Sequence, residues 1–289
     1  MPALRSLAFL AAAPVLAVSV AHADPDWAKT YPVSAQPSLT VTTGDSSVQI
    51  ASCGSCREIR IHVEWRDFHS YSFILSESQT GNHVEFSLRE KMGFGVHLNL
   101  GNRRAPQVTV ETPQAIDLQA RTSDGALFVN GVSGNLQLRT SDGSITAANV
   151  SGALSLTSSD GSIQVRDASG TLESHSSDGS VQIAGKFTGI QVKGSDGAMD
   201  IALQPGSKLT RASSIQVSDG SVAIRLPRNL AADLEVHTGD GNVHCGLPLT
   251  MDGYNAAITG KKGLRGKLNG GGVPLTIRTQ DGSVTINAL

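Results

Sequence analysis

Apolar and polar residues alternate in short runs along most of this chain, and the runs come in pairs. Leu136 and Leu138 alternate with Gln137, then Ile145 and Ala147 with Thr146; the next pair, eighteen residues on, sets Leu154 and Leu156 against Ser155, then Ile163 and Val165 against Gln164. Alternation of period two marks strands with one buried face. Between the runs of a pair stands T-S-D-G or a close variant, where Asp can bond its own backbone and Gly can take positive φ. A second glycine corner, Val132-Ser133-Gly134 or Val150-Ser151-Gly152, joins each pair to the next. Helix signals are absent throughout.

The pairing is a repeat. Asp124-Gly125, Asp142-Gly143, Asp160-Gly161, Asp178-Gly179 and Asp196-Gly197 follow one another at steps of 18, with matching flanks such as LQLRTSDGSITA and LSLTSSDGSIQV. Looser copies surround Asp219-Gly220, Asp240-Gly241 and Asp281-Gly282, and an eroded one surrounds Asp45. These residues are read as structural turn residues. Asp-Gly between alternating runs is also a hairpin signal, but every column, inward and outward, is constant at one period, which favours stacked coils. The expected fold is an all-β solenoid of two-strand coils of about 18 residues. Equivalent residues of successive coils then lie about 4.8 Å apart. Leu118, Leu136, Leu154, Leu172 and Ile190 form one apolar ladder, and Leu127, Ile145, Ile163, Val181 and Met199 face it. Gln119, Gln137 and Gln191 would form a partial amide ladder outside.

The rest of the chain is organised around that array. Arg5, the apolar run Leu7 to Ala21 and the small-x-small site Ala21-His22-Ala23 predict an export signal over residues 1–23. Residues 24–114 form an irregular β segment that holds most aromatics and is expected to cap the stack, because an open end exposes unpaired strand edges. Residues 115–203 are the regular solenoid. Residues 204–289 are looser coils, with Pro205, Pro227 and Pro248 at corners and an inserted, projecting loop over 246–272. Aromatic residues make up 4% of the chain and glycine contributes 31 residues, which suits a thin aliphatic core. The formal net charge is −2, and losing residues 1–23 removes only Arg5, leaving 22 basic against 25 acidic residues. Such a balance gives no electrostatic footprint for nucleic acid. No other long apolar stretch follows, so no membrane span is expected beyond residue 23.

Candidate chemistry is sparse. The corner aspartates would repel one another at about 4.8 Å, so something must offset the charge. Either corner amides and nearby hydroxyls hydrogen-bond the carboxylates, or Ca²⁺ bridges successive coils as in nonapeptide β-rolls. The coils lack G-G-x-G-x-D and offer one carboxylate each, whereas Ca²⁺ takes about six to eight oxygens. Cys53 and Cys56 form a C-x-x-C pair, read as a local disulfide in an oxidising compartment. Cys245, beside His244 and near His237, is read as a strand residue inside the coil, with a metal site as the alternative. Arg121, Arg139, Thr157, His175 and Lys193 share an exposed, variable column. Thr122 and Thr140 raise the idea of an ice-binding face, which decays at Ser158, Ser176 and Gly194. The Ser-Asp-Gly units have no histidine at a fixed partner spacing, so no nucleophilic machinery is read, and no metal or cofactor is expected.

The T-S-D-G-S-I-x-V units, SVAIRLPRNLAADLEVHTGDGNV and GKLNGGGVPLTIRTQDGSVTI resemble, from about Leu39 to the end, the DUF4097 group of bacterial β-strand-repeat, adhesin-like proteins. The resemblance implies a right-handed β-helix-like fold and an envelope or surface location, and supplies no agreed ligand and no catalytic residues. The expectation is an exported, non-enzymatic module of the cell envelope (periplasmic, surface-bound or secreted) with a protein or glycan partner. The alternative is a polysaccharide-acting enzyme whose site lies where Trp65, Asp67, His69 and Tyr71 cluster.

Overall fold

The computed structural model describes residues 26–91, 104–251, 254–256 and 259–289, so the expected export signal lies outside the described residues. The described residues are all-β apart from one short 3-10 turn, Ser70–Ser72. Each repeat unit contributes one strand before its Asp-Gly corner and one after it. The leading strands pair in parallel into a first sheet and the trailing strands into a second, facing one. In the first sheet Leu118 is in register with Leu136, Leu136 with Leu154, Leu154 with Leu172 and Leu172 with Ile190. In the second, Leu127 pairs with Ile145, then Ile163, Val181 and Met199 follow.

All of these side chains are buried, as are Leu138, Leu156, Ala147 and Val165. Burying a Leu, Ile or Val side chain contributes roughly 1.5–3 kcal/mol against the cost of ordering the chain. The second corner adds its own inward column, Val132, Val150 and Ala168. There the chain turns through left-handed residues, Gly131, Asn149 and Asp167, at φ 75°, 53° and 51°. The register between Ile163–Ser176 and Val181–Asp196 shifts twice, between Val165 and Ala168 and between Gly170 and Thr171, and Phe187, paired with Gly170, is buried at that corner.

Spatial order departs from sequence order at both ends. The Asp45 unit, strands Ser38–Thr43 and Ser47–Ser52, stacks directly on the Asp124 unit. On its other side lie His83–Glu90 and Gln107–Thr112, which complete a further parallel coil. At the far end Pro274–Thr279 and Val284–Ala288, the last strands in sequence, insert next to the Asp219 unit. The Asp240 unit then lies outermost, against them. A stack built in sequence order, as the repeat alone implies, is therefore corrected at both ends.

Antiparallel strands line the outer edges. Phe73–Thr80 pairs with His83–Glu90, Glu58–Glu64 with Gln107–Thr112, and Trp27–Pro32 with Glu58–Glu64. Lys29 Nζ and Tyr31 Oη both donate to Glu77, at 2.5 and 2.9 Å, tying the two outermost strands together. The Trp27 and Phe86 rings pack 5.5 Å apart beneath them. At the other end Gly263–Leu268 runs antiparallel to Ala232–Thr238, with Leu264 and Leu268 buried. Much of the insertion expected to project thus covers the outermost coil: Leu247 and Leu249 are buried too.

Candidate functional site

The T-S-D-G corner is built differently from its sequence reading. Gly125, Gly143, Gly161, Gly179, Gly220, Gly241 and Gly282 do not have positive φ; of the Asp-Gly glycines among the described residues only Gly197 does, at 118°. Their requirement is steric. A Cβ on Gly143 would stand 2.0 Å from the carbonyl oxygen of Gly125, and one on Gly161 would stand 1.8 Å from that of Gly143. Each coil's corner presses its backbone onto the glycine of the next.

In every unit but those of Asp196 and Asp219, where Gly194 and Val217 stand instead, the threonine or serine two residues before the corner Asp points inward. Thr43, Thr122, Thr140, Ser158, Ser176, Thr238 and Thr279 are all buried, so no hydroxyl face toward ice exists in this column. Thr140 Oγ1 donates to the Ser123 carbonyl at 3.0 Å and accepts the Gly143 N–H at 3.1 Å, closing its own turn and gripping the coil before it. Thr238 repeats the arrangement with Gly282 O at 2.7 Å and Gly241 N at 3.0 Å. The amides of Ser141 and Asp142 both reach Ser123 O at 3.0 Å. The Thr140 and Thr238 hydroxyls and the Ser141 and Asp142 amides are thus committed to carbonyls of the neighbouring coil rather than to the corner carboxylates.

The carboxylates themselves point out. Asp45, Asp124, Asp142, Asp160, Asp178, Asp196, Asp219, Asp281 and Asp240 are exposed along one edge, in that spatial order. Lys262 Nζ meets Asp240 at 3.0 Å. The Asp219 carboxyl lies above the usual carboxylate range, first through lost hydration, then through the charges of Asp196 and Asp281 and a hydrogen bond with Asp281. Among the described residues no group of three or more His, Cys, Asp or Glu side chains is placed to hold a metal ion.

Elsewhere, Cys53 and Cys56 are joined as a disulfide, and Cys245 is free and buried, its thiol pKa pushed up by burial. His237 and His244 are exposed while Cys245 faces the core, because they alternate along their strands; the three do not converge. In the aromatic cluster Trp65 is buried and packs on Phe73 at 5.9 Å, and His69 stacks on Tyr71 at 5.0 Å. Asp67 accepts the backbone N–H of Arg104 at 2.8 Å. An open groove of about 690 Å³ runs past the disulfide between Val33–Pro37, Arg57 and Pro113–Ala115.

A family model described as Toastrack DUF4097 matches residues 37–287. The chain belongs to the Toastrack DUF4097 family. No curated protein matches it. Among solved structures, the Toastrack chain is similar to a "putative cell adhesion protein" from Clostridium sporogenes, at 11% identity over 92% of this chain and 100% of that one, TM-score 0.28. A "putative adhesin" from Bacteroides fragilis shares 10% identity over 92% and 98% of the two chains, TM-score 0.41. A "putative lipid binding protein" from Parabacteroides distasonis shares 12% over 92% and 97%, TM-score 0.45.

What the Toastrack chain offers chemically is surface. Its inward positions are apolar or hydroxyl, and its outward columns carry amides, hydroxyls and charges in straight lines. Sequence reasoning missed the inward hydroxyl column, although a Thr or Ser kept two residues before Asp in nearly every unit was its visible signal. It also missed that the exposed column containing Arg121 and Lys193 continues through Arg278 to His237.

Proposed function

We propose that this chain is an exported, non-enzymatic binding or structural module of the cell envelope, presenting the flat outer faces of its 18-residue coils to a partner. Its irregular N-terminal strands act as a cap, and the corner Asp-Gly residues are structural turn residues. The carrying observation is the parallel pairing of both sheets from the Asp45 unit to the Asp240 unit, which lines up outward side chains over the length of the molecule despite the corner shifts beside Phe187. A stack of this kind is a rigid display surface, since each coil is bonded to both neighbours.

The enzyme alternative draws no support from the aromatic cluster, whose Trp65, His69 and Tyr71 are engaged in ring packing and whose Asp67 is held by Arg104. The test has two arms. Cosedimentation with washed envelope fractions should be saturable, and incubation with acidic and neutral polysaccharides should release no reducing ends. Release of reducing ends that Asp67→Asn abolishes would establish the enzyme instead. Export is checked by fractionating cells that express the chain with and without residues 1–23.

A further inference from the structure

We propose that the outward basic column of the first sheet is a binding track for a linear anionic glycan, one carrying carboxylate or sulfate groups along its length; this rests on the binding-module reading and names its ligand class. Register places Arg121 beside Arg139, and carries the same outward position through His175 and Lys193 to Arg278 and His237. All six are exposed. The two intervening steps are neutral, Thr157 and Gln216, and no carboxylate stands in the column. The line spans seven coil steps, about 34 Å at the inter-strand spacing.

The cations are largely unanswered within the chain. Among the described residues Arg121, Arg139 and Lys193 enter no ion pair, and Arg278 meets Glu235 at 3.6 Å. Neighbouring coils lie closer together than the screening length of about 8 Å at physiological salt, so their charges add along the line. A polyanion with charges at regular intervals answers such a line better than any small ion. The next outward column, two residues back along each strand, presents Gln119, Gln137, Ser155, Gln191, Ser214 and Thr276, with carboxylates at Glu173 and Glu235. Amides and hydroxyls there suit the hydroxyl groups of sugars.

On the other side the exposed corner aspartates run parallel to the track and repel an anion that strays over the edge. None of the exposed large apolar side chains, Tyr71, Ile74, Phe128 and Leu289, lies in these two columns, so nothing there enters a bilayer. No Phe, Tyr or Trp side chain stands in either column as a platform for nucleobases. A glycan chain is the occupant that fits.

The experiment is affinity electrophoresis of the folded chain through polygalacturonate, dextran sulfate and neutral dextran, repeated for the triple variant Arg121→Gln, Arg139→Gln, Lys193→Gln. Arg225→Gln, which removes a cation from the second sheet, is the control. Both polyanions should retard the wild type in a salt-dependent way and dextran should not; the triple variant should lose about tenfold or more in affinity, and Arg225→Gln should match the wild type. Equal retardation of the triple variant, an equal loss from Arg225→Gln, or binding to phosphatidylglycerol vesicles in place of the glycans overturns the proposal. Cosedimentation with envelope fractions separates the two readings. If no polyanion binds but envelope retention persists in the triple variant, the glycan track falls and the binding module stands; if neither binds, both fall.

Discussion

At the scale of single residues, the corners are governed by how closely one backbone can approach another. Gly161 is the sharpest case, because an added Cβ would meet the Gly143 carbonyl oxygen at 1.8 Å while its φ is unremarkable for any residue. Gly161→Ala is therefore expected to cost about 3 kcal/mol or more, among the larger single-residue effects, through backbone displacement against the adjacent coil. Gly44→Ala, where an added Cβ meets nothing within 4 Å, should stay within about 0.5 kcal/mol of the wild type. Urea melts of the two variants check the contrast; similar losses would mean that turn conformation, not contact, demands glycine. Ser174 is the opposite kind of residue. Its Oγ is buried without a hydrogen-bond partner among the described residues, in a column that elsewhere holds Leu138, Leu156 and Val192. Ser174→Ala should raise stability by about 1 kcal/mol, since it removes a desolvated hydroxyl and breaks no bond. A loss of stability in the same melts would show that the hydroxyl is satisfied after all.

At the scale of elements, the exposed aspartate edge and the N-terminal strand pair respond to pH in opposite senses. The folded-state pKa of Asp219 is raised, by lost hydration and by Asp196 and Asp281. Its contribution is favourable at low pH and is lost as pH rises through the folded value, where neighbouring charges repel. Asp219→Asn should thus melt higher than wild type at pH 7, and the gap should close at about pH 3, where carboxylates are largely protonated in both states. Glu77 is lowered by the hydrogen bonds from Lys29 and Tyr31. Its contribution is present above the ordinary carboxylate pKa and disappears as pH falls through the folded value. Amide protection factors (the intrinsic rate at each pH divided by the exchange rate) in Trp27–Pro32 and Phe73–Thr80 should accordingly fall on acidification, before those of the regular coils. Protection lost everywhere at once would contradict this division.

At the scale of the whole molecule, the out-of-order insertion of terminal units ties distant segments together. Pro274–Thr279 is hydrogen-bonded to Ser213–Asp219 on one side and Ala232–Thr238 on the other. Deleting residues 270–289 would therefore remove an interior coil, not the last one. Limited proteolysis of that truncation should cut freely between about residues 227 and 269, because the Asp240 unit loses its parallel neighbours on both sheets. Protection persisting through that region would mean that the stack follows sequence order. The same non-local closure covers the sheet edges, which would otherwise template pairing with other chains.

The sequence by itself determined the repeat, the two strands of each coil, and which side of each strand faces the core. Those follow from local alternation and an 18-residue period, and Leu118 to Ile190 stack as that period requires. It also marked the corner residues and paired Cys53 with Cys56 by proximity alone. The reason for the corner glycines was not legible, because positive φ and close backbone approach leave the same Asp-Gly in the sequence. Tertiary structure alone decided that Thr140 and its equivalents turn inward, since a hydroxyl before a turn can satisfy a carbonyl of its neighbour or face water, and only the neighbour's position settles which. It alone placed the Asp281 unit inside the Asp240 unit and the Asp45 unit against the Asp124 unit. Repeat units carry nearly interchangeable edges, so their order of stacking is set by loop lengths and long-range pairing, which no local pattern encodes. That order is also what joins Arg278 and His237 to Arg121 in one line.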